Sequence, residues 1–191
     1  MNASTNLPNA LTLARIVLIP VFIAIYYLPW SAAHGVAAII FAVASFTDWL
    51  DGFLARKLQQ TSPFGAFLDP VADKLLVACS LLILVGAKDI EYITLPAIVI
   101  VGREIVISAL REWMAELGRR ASVAVSYVGK IKTVLQMVAL VLLLAFHPST
   151  SLLGVLGVIL LYVAAILTIW SMVVYFLIAW EVLTKKTDAD S

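Results

Sequence analysis

The sequence predicts an all-α, polytopic integral membrane protein with six transmembrane helices. Two observations carry this reading. First, 63% of the 191 residues are hydrophobic and only 13% are charged, whereas an ordinary soluble domain has about 45–50% apolar and about 25% charged residues. Second, the apolar residues gather into six long segments separated by short turn-forming stretches. A spanning helix needs about 20 mainly apolar residues. In lipid, moreover, a backbone must satisfy its own hydrogen bonds, which makes helices the default. The same figures exclude a soluble globule, a disordered chain, a collagen and a disulfide scaffold. The single cysteine, Cys79, lies in an apolar run and reads as a packing residue. A net charge of +1 gives no footprint for nucleic acid.

In chain order the segments are 8–30, 34–56, 65–87, 92–113, 126–146 and 151–180. The first contains Pro20, a kink position, and has no basic run before it. With Arg15 inside the stretch, it reads as a retained helix and not as a cleaved signal. Pro29 to Gly35 supplies the turn into the second segment, which continues through Asp48 and Asp51. Thr61-Ser62-Pro63 separates it from the third, which carries Asp69 and Asp73 and ends near Lys88-Asp89. The fourth holds Arg103 and Arg111 and leads into the loop from Gly118 to Ser122. The fifth is entered through Lys130 and Lys132 and closes at His147-Pro148-Ser149. The sixth, Leu152 to Trp180, contains no charge and reads as a lipid-facing wall. No internal repeat or long linker divides the chain, so residues 1–191 are expected to form one membrane domain.

The basic residues set the orientation. With the N-terminus in the cytoplasm, twelve of the 13 Lys and Arg residues fall on the inner side and only Lys88 on the outer. This positive-inside bias places both termini in the cytoplasm. His34 and His147 then occupy outer turns, where they read as solvated loop residues and not as metal ligands.

Depth is more telling than side. Helix two has only Gly35 to Phe46 as an uninterrupted apolar run before Thr47 and Asp48, and helices three, four and five have comparably short runs. Each must therefore continue through charged residues while still inside the bilayer. At 1.5 Å per residue, Asp48 lies about 20 Å from the outer end, recessed in the inner leaflet. Snorkelling accounts for Lys57, Arg119 and Arg120. It does not account for a cluster of aspartates, whose side chains are short; such charges face an enclosed polar cavity.

Asp48 and Asp51 share one helical face, with Ala55 and Arg56 a turn later, and Gly65, Asp69 and Asp73 form a second stripe at four-residue spacing. The short turn between these helices makes them antiparallel neighbours, so the stripes are expected to face each other. Four close carboxylates cannot all remain ionised without a counter-charge. An all-oxygen donor set suits Mg²⁺ or Mn²⁺ and not Zn²⁺, and two such ions would clamp a phosphoryl group. Gly52, Ala55 and Gly65 leave the helix surfaces low enough for a ligand to approach, although close helix packing uses the same residues. Arg56 is a candidate phosphate ligand.

The spacing Asp48-x2-Asp51-Gly52-x2-Ala55-Arg56-x8-Gly65-x3-Asp69-x3-Asp73 resembles, without a departure, the signature of the CDP-alcohol phosphotransferases. The resemblance implies that family's six-helix fold, usually homodimeric, with its site open to the cytoplasm. It also implies attack of a hydroxyl on the β-phosphorus of a CDP-linked lipid or alcohol, with CMP leaving. Residue by residue, Asp48, Asp51 and Asp69 would ligate two divalent ions, and Asp73 would contact a metal and act as general base. Gly52, Ala55, Arg56 and Gly65 would bind the cytidine diphosphate. Gly154 and Gly157, three apart, do not match the four-residue dimer spacing.

Arg103 and Arg111 share a face of the fourth helix, and Lys130 and Lys132 begin the fifth. A basic group beside a carboxylate–metal site suits an acceptor that carries its own phosphate; the alternative is internal pairing with Glu104, Glu112 or Glu116. Gly102 to Ala115, Ser122 to Ser126, Gly129 to Thr133 and Asn6 to Arg15 resemble the bacterial branch of the family that uses glycerol 3-phosphate. This implies CDP-diacylglycerol as donor, sn-glycerol 3-phosphate as acceptor and the cytoplasmic (inner) membrane as location. Asn9, Thr12 and Arg15 form a polar face on the first helix that borders the nucleotide site or anchors at the interface. The rival acceptors are phosphatidylglycerol (a cardiolipin-type synthase), inositol phosphate and serine. A small transporter is the rival from another class, but its charges would lie near the midplane.

Overall fold

The computed structural model describes residues 7–58, 63–87, 90, 92–116 and 127–187. They form six α-helices: α1 Leu7–Tyr26, α2 Ala33–Leu58, α3 Pro63–Gly86, α4 Thr94–Glu116, α5 Tyr127–Ala145 and α6 Leu152–Thr187. No strand occurs among the described residues.

Two helix ends differ from the expectation. α1 stops at Tyr26 and not near residue 30, because the chain turns where Pro29 has no N–H to offer. There the Leu28 N–H donates to the Ile25 carbonyl at 3.1 Å and the Trp30 N–H to the Leu28 carbonyl at 2.8 Å. α6 runs past Trp180 to Thr187 through Glu181, Lys185 and Lys186. Nothing in Val158 to Thr187 is a glycine or proline, and Glu and Lys are good helix formers. Pro20 and Pro70 both lie within helices that remain continuous.

α1 packs broadly along α2, and α5 along α6; α2 also lies on α5, α1 on α3, and α4 on α6. α2 and α3, expected to face each other directly, touch only sparingly. α1 contacts both of them, so it is the element through which the two acidic stripes are joined. The core between the helices is apolar, with Phe22 edge-on to Phe41 at 6.3 Å between ring centroids, and with Leu81, Leu84, Ile100, Leu140 and Leu161 fully buried around it.

The outer faces are apolar too: Val17, Ile39, Leu82, Ile98, Ile166 and Trp170 are all exposed. A water-soluble monomer does not carry so much exposed hydrocarbon. Among the described residues, only α6, over Leu152–Leu177, is long and apolar enough to cross a membrane by length and composition. The apolar stretches of α1, α2 and α5 are shorter, at Ala10–Tyr26, Ala33–Asp48 and Ile131–Ala145. α6 is also more than a wall. Leu156, Ile159, Ile166 and Trp170 face outward, while Thr168, Ser171 and Tyr175 are buried against the bundle.

The glycines of α6 serve the packing of the protomer. A Cβ on Gly154 would lie 2.6 Å from the His147 carbonyl carbon and from Pro148 N, and one on Gly157 would lie 2.9 Å from Leu143 Cγ. At the same end, His147 Nδ1 lies 2.6 Å from Ser149 Oγ, and the His34 ring stands edge-on to Tyr26 at 4.7 Å. Both histidines border a cavity of about 790 Å³ at the end of the bundle remote from the aspartates.

Candidate active site

At the opposite end the charged residues converge. Asp48 on α2 and Asp69 and Asp73 on α3 line one cavity of about 510 Å³, together with Lys74, Glu104, Ser108, Arg111 and Glu112. Their helices bring them there because the three-to-four-residue spacing keeps each acidic stripe on one face. Gly65, one turn before Asp69, is buried.

α1 supplies the bridge between the stripes. Arg15, fully buried, donates from Nη1 to Asp48 Oδ1 at 2.5 Å, and the buried Thr12 hydroxyl donates to Asp69 Oδ1 at 2.5 Å. A buried guanidinium is tolerated only where a partner compensates its desolvation. Thr12 and Arg15, three residues apart, thus contact the carboxylates themselves. Asp73 differs: among the described residues it makes no hydrogen bond or ion pair.

A second cavity of about 260 Å³ adjoins the first and shares Asp73, Lys74, Glu104 and Arg111 with it. Its other walls include Arg103, Lys132, Gln136 and Tyr175. Glu104 Oε1 accepts from Arg103 Nη1 and from Lys132 Nζ, each at 3.0 Å. Arg103 Nη2 also donates to Ser171 Oγ at 3.3 Å. Arg111 Nη2 donates to the Tyr175 hydroxyl at 3.0 Å. The Tyr175 ring carries both guanidinium groups, with Arg103 at 5.7 Å and Arg111 at 5.3 Å from its centroid, and such contacts fix planar cations without neutralising them. The internal-pairing alternative therefore holds in part. One carboxylate, Glu104, serves two cations, and Arg111 pairs with a neutral phenol. The cavity wall keeps an excess of positive charge.

Sequence reasoning missed Gln136, Ser171 and Tyr175, and treated Glu104 only as a possible partner. The signal was present as spacing. Lys132 and Gln136 are four apart on α5, and Thr168, Ser171 and Tyr175 recur at three and four on an otherwise apolar α6. Asn9, Asp51, Gly52, Ala55, Arg56 and Lys130 lie on described helices, but their side chains are outside the described residues.

The donor chemistry fits a hard divalent cation: Asp48, Asp69 and Asp73 offer oxygen only, on one cavity. Among the described residues no group of three or more His, Cys, Asp or Glu side chains is close enough to hold a metal ion. Arg15 and Thr12 engage one oxygen each of Asp48 and Asp69. A grouped set of acids adjoining a cationic cavity, set into an apolar helical bundle, is chemically suited to phosphoryl transfer between anionic substrates.

The family model of the CDP-alcohol phosphatidyltransferases matches residues 5–170, and the chain belongs to that family. Among its relatives is the CDP-diacylglycerol–glycerol-3-phosphate 3-phosphatidyltransferase of Salmonella paratyphi A, 54% identical over 170 residues, which are 89% of this chain and 92% of the relative. The protein of that name from Yersinia enterocolitica is 53% identical over 176 residues, 92% of this chain and 96% of the relative. The one from Pseudomonas fluorescens is 53% identical over 184 residues, 96% of this chain and 93% of the relative.

Proposed function

We propose that this protein transfers the phosphatidyl group of CDP-diacylglycerol to sn-glycerol 3-phosphate, releasing CMP and phosphatidylglycerophosphate, a step in making anionic phospholipid. The observation that carries the reading is the position of Asp73, an unpaired carboxylate at the junction of an acidic and a basic cavity. The identity to bacterial relatives bearing that reaction in their names supports it.

In this reading the diphosphate of the donor occupies the acidic cavity, and Gly52, Ala55, Arg56 and Gly65 bind the cytidine diphosphate portion, with Asn9, Thr12 and Arg15 at its border. Two divalent ions, Mg²⁺ or Mn²⁺, held by Asp48, Asp51, Asp69 and Asp73, supply the Lewis-acid charge that a carboxylate-rich site cannot. Arg103, Arg111, Lys130 and Lys132 hold the acceptor phosphate. Asp73 takes the proton of the acceptor hydroxyl as its oxygen bonds to the β-phosphorus; the phosphorus–oxygen bond to CMP breaks, and CMP leaves with the electron pair. Arg15 holds Asp48 in place, and the Thr12 hydroxyl holds Asp69.

The chain acts as one catalytic domain. Its six helices cross the cytoplasmic membrane of a bacterium, with both termini and the site on the cytoplasmic side, and it works as a homodimer. The exposed apolar faces and the gathering of charge at one end support this placement.

The test is a transfer assay on purified protein with CDP-diacylglycerol and a panel of labelled acceptors: glycerol 3-phosphate, phosphatidylglycerol, inositol phosphate and serine. Glycerol 3-phosphate is expected to give the lipid product. A product from another acceptor alone would reassign the substrate, and no CMP release with any acceptor would favour a transporter.

A further inference from the structure

The basic cavity has two polar groups that the fold leaves unsatisfied. Gln136 is 4% exposed, and its Oε1 is buried without a hydrogen-bond partner. Arg103 is 8% exposed; its two terminal nitrogens are engaged by Glu104 and Ser171, but its Nε is buried without a partner. Both residues line the cavity that also holds Asp73 and Lys132. A buried donor or acceptor left unpaired is costly, and native structures keep few of them. Here one acceptor and one donor remain on the same wall. The ligand that satisfies both carries a hydroxyl to donate and an anionic oxygen to accept.

The geometry points to Gln136 as the residue that reads the non-reacting hydroxyl of the acceptor, and so selects a polyol phosphate over a simple alcohol phosphate. This rests on the proposed use of glycerol 3-phosphate. In that molecule the phosphate sits on one terminal carbon and the attacking hydroxyl on the other, which leaves the middle hydroxyl with no assigned partner. Arg103, Lys132, Asp73 and Gln136 line one cavity, so with the phosphate on Arg103 and Lys132 and the attacking oxygen at Asp73, Gln136 is the acceptor there for the middle hydroxyl. The terminal torsion of Gln136 is soft, which leaves its amide oxygen free to turn toward a hydroxyl bound in the cavity. Lys132 precedes Gln136 by one helical turn on α5, so phosphate and hydroxyl are read from one helix face.

The experiment compares kcat/KM for sn-glycerol 3-phosphate and for 3-hydroxypropyl phosphate, which lacks only the middle hydroxyl, with CDP-diacylglycerol in mixed micelles. The wild type is expected to prefer glycerol 3-phosphate by about tenfold, the scale of one neutral hydrogen bond. Gln136→Met, similar in volume and unbranched, should bring the ratio to about one by lowering only the glycerol 3-phosphate value. Gln136→Glu keeps an acceptor oxygen and should keep the preference whatever its absolute rate, so the proposal stays testable even where the Met variant does not fold. Equal loss on both acceptors in Gln136→Met, an unchanged ratio in that variant, or a lost ratio in Gln136→Glu overturns the assignment while leaving the proposed reaction intact. A wild type inactive on glycerol 3-phosphate overturns the reaction and the assignment together.

Discussion

Arg15 shows how single residues set the terms of the site. Its guanidinium is fully buried while the Asp48 carboxylate it meets is 39% exposed, so the two partners depend on each other unequally. Truncating the cation leaves a carboxylate that water can still reach, and the cost falls below that of an isolated buried charge. Arg15→Met is therefore expected to lower stability by about 1–3 kcal/mol, read as a lower thermal midpoint in detergent, and to reduce transfer as Asp48 loses its anchor. An unchanged midpoint would mean that the ion pair holds nothing together. The convergence of Asp48, Asp69 and Asp73 on one cavity was legible in the sequence because a short carboxylate cannot snorkel from the depth that the apolar runs imply. Arg15 and Thr12 were visible only as a polar face. Their contact with Asp48 and Asp69 depends on how α1 is placed, and helical spacing carries no information about a neighbouring helix. Tyr175 was hidden for a related reason, since an aromatic in an apolar helix reads as hydrocarbon until its ring is found against two guanidinium groups.

At the scale of elements, all six helices were legible from apolar length and turn chemistry, with ends displaced by a few residues where Pro29 stops α1 early and good helix formers carry α6 further. Their order of packing was not. A short turn suggested that α2 and α3 face each other, but α1 lies against both and joins the acidic stripes through hydrogen bonds. Clustered carboxylates such as Asp48, Asp69 and Asp73 repel, and an intervening helix that brings a cation and a hydroxyl relieves this better than direct apposition. α6 carries its own prediction. A methyl on Gly154 would strike backbone atoms of the turn at 2.6 Å, whereas one on Gly157 would meet the side chain of Leu143 at 2.9 Å. Side chains give way more easily than backbone. Gly154→Ala is expected to destabilise by about 1–3 kcal/mol and Gly157→Ala by less, in thermal melts of the two variants side by side. The reverse order would show that α5 and α6 are packed differently from this description.

The whole molecule joins an apolar exterior to charges gathered at one end, an arrangement that suits a lipid donor held in the bilayer and a water-soluble acceptor reaching it from one side. The oxygen-only donor set leads to a further expectation: chelation with EDTA abolishes transfer, Mg²⁺ or Mn²⁺ restores it, and Zn²⁺ does not. Activity that survives thorough chelation would remove the metal from the account. Asp73 allows the most direct test, because among the described residues it supports no hydrogen bond or ion pair whose loss would disturb the fold. The decisive measurement is CMP release from CDP-diacylglycerol in the presence of glycerol 3-phosphate, by wild type and by Asp73→Asn at matched thermal stability. Acceptor-dependent release by the wild type and a loss of at least about 100-fold in the variant are expected. Equal release by both proteins, or release that does not depend on the acceptor, would contradict it.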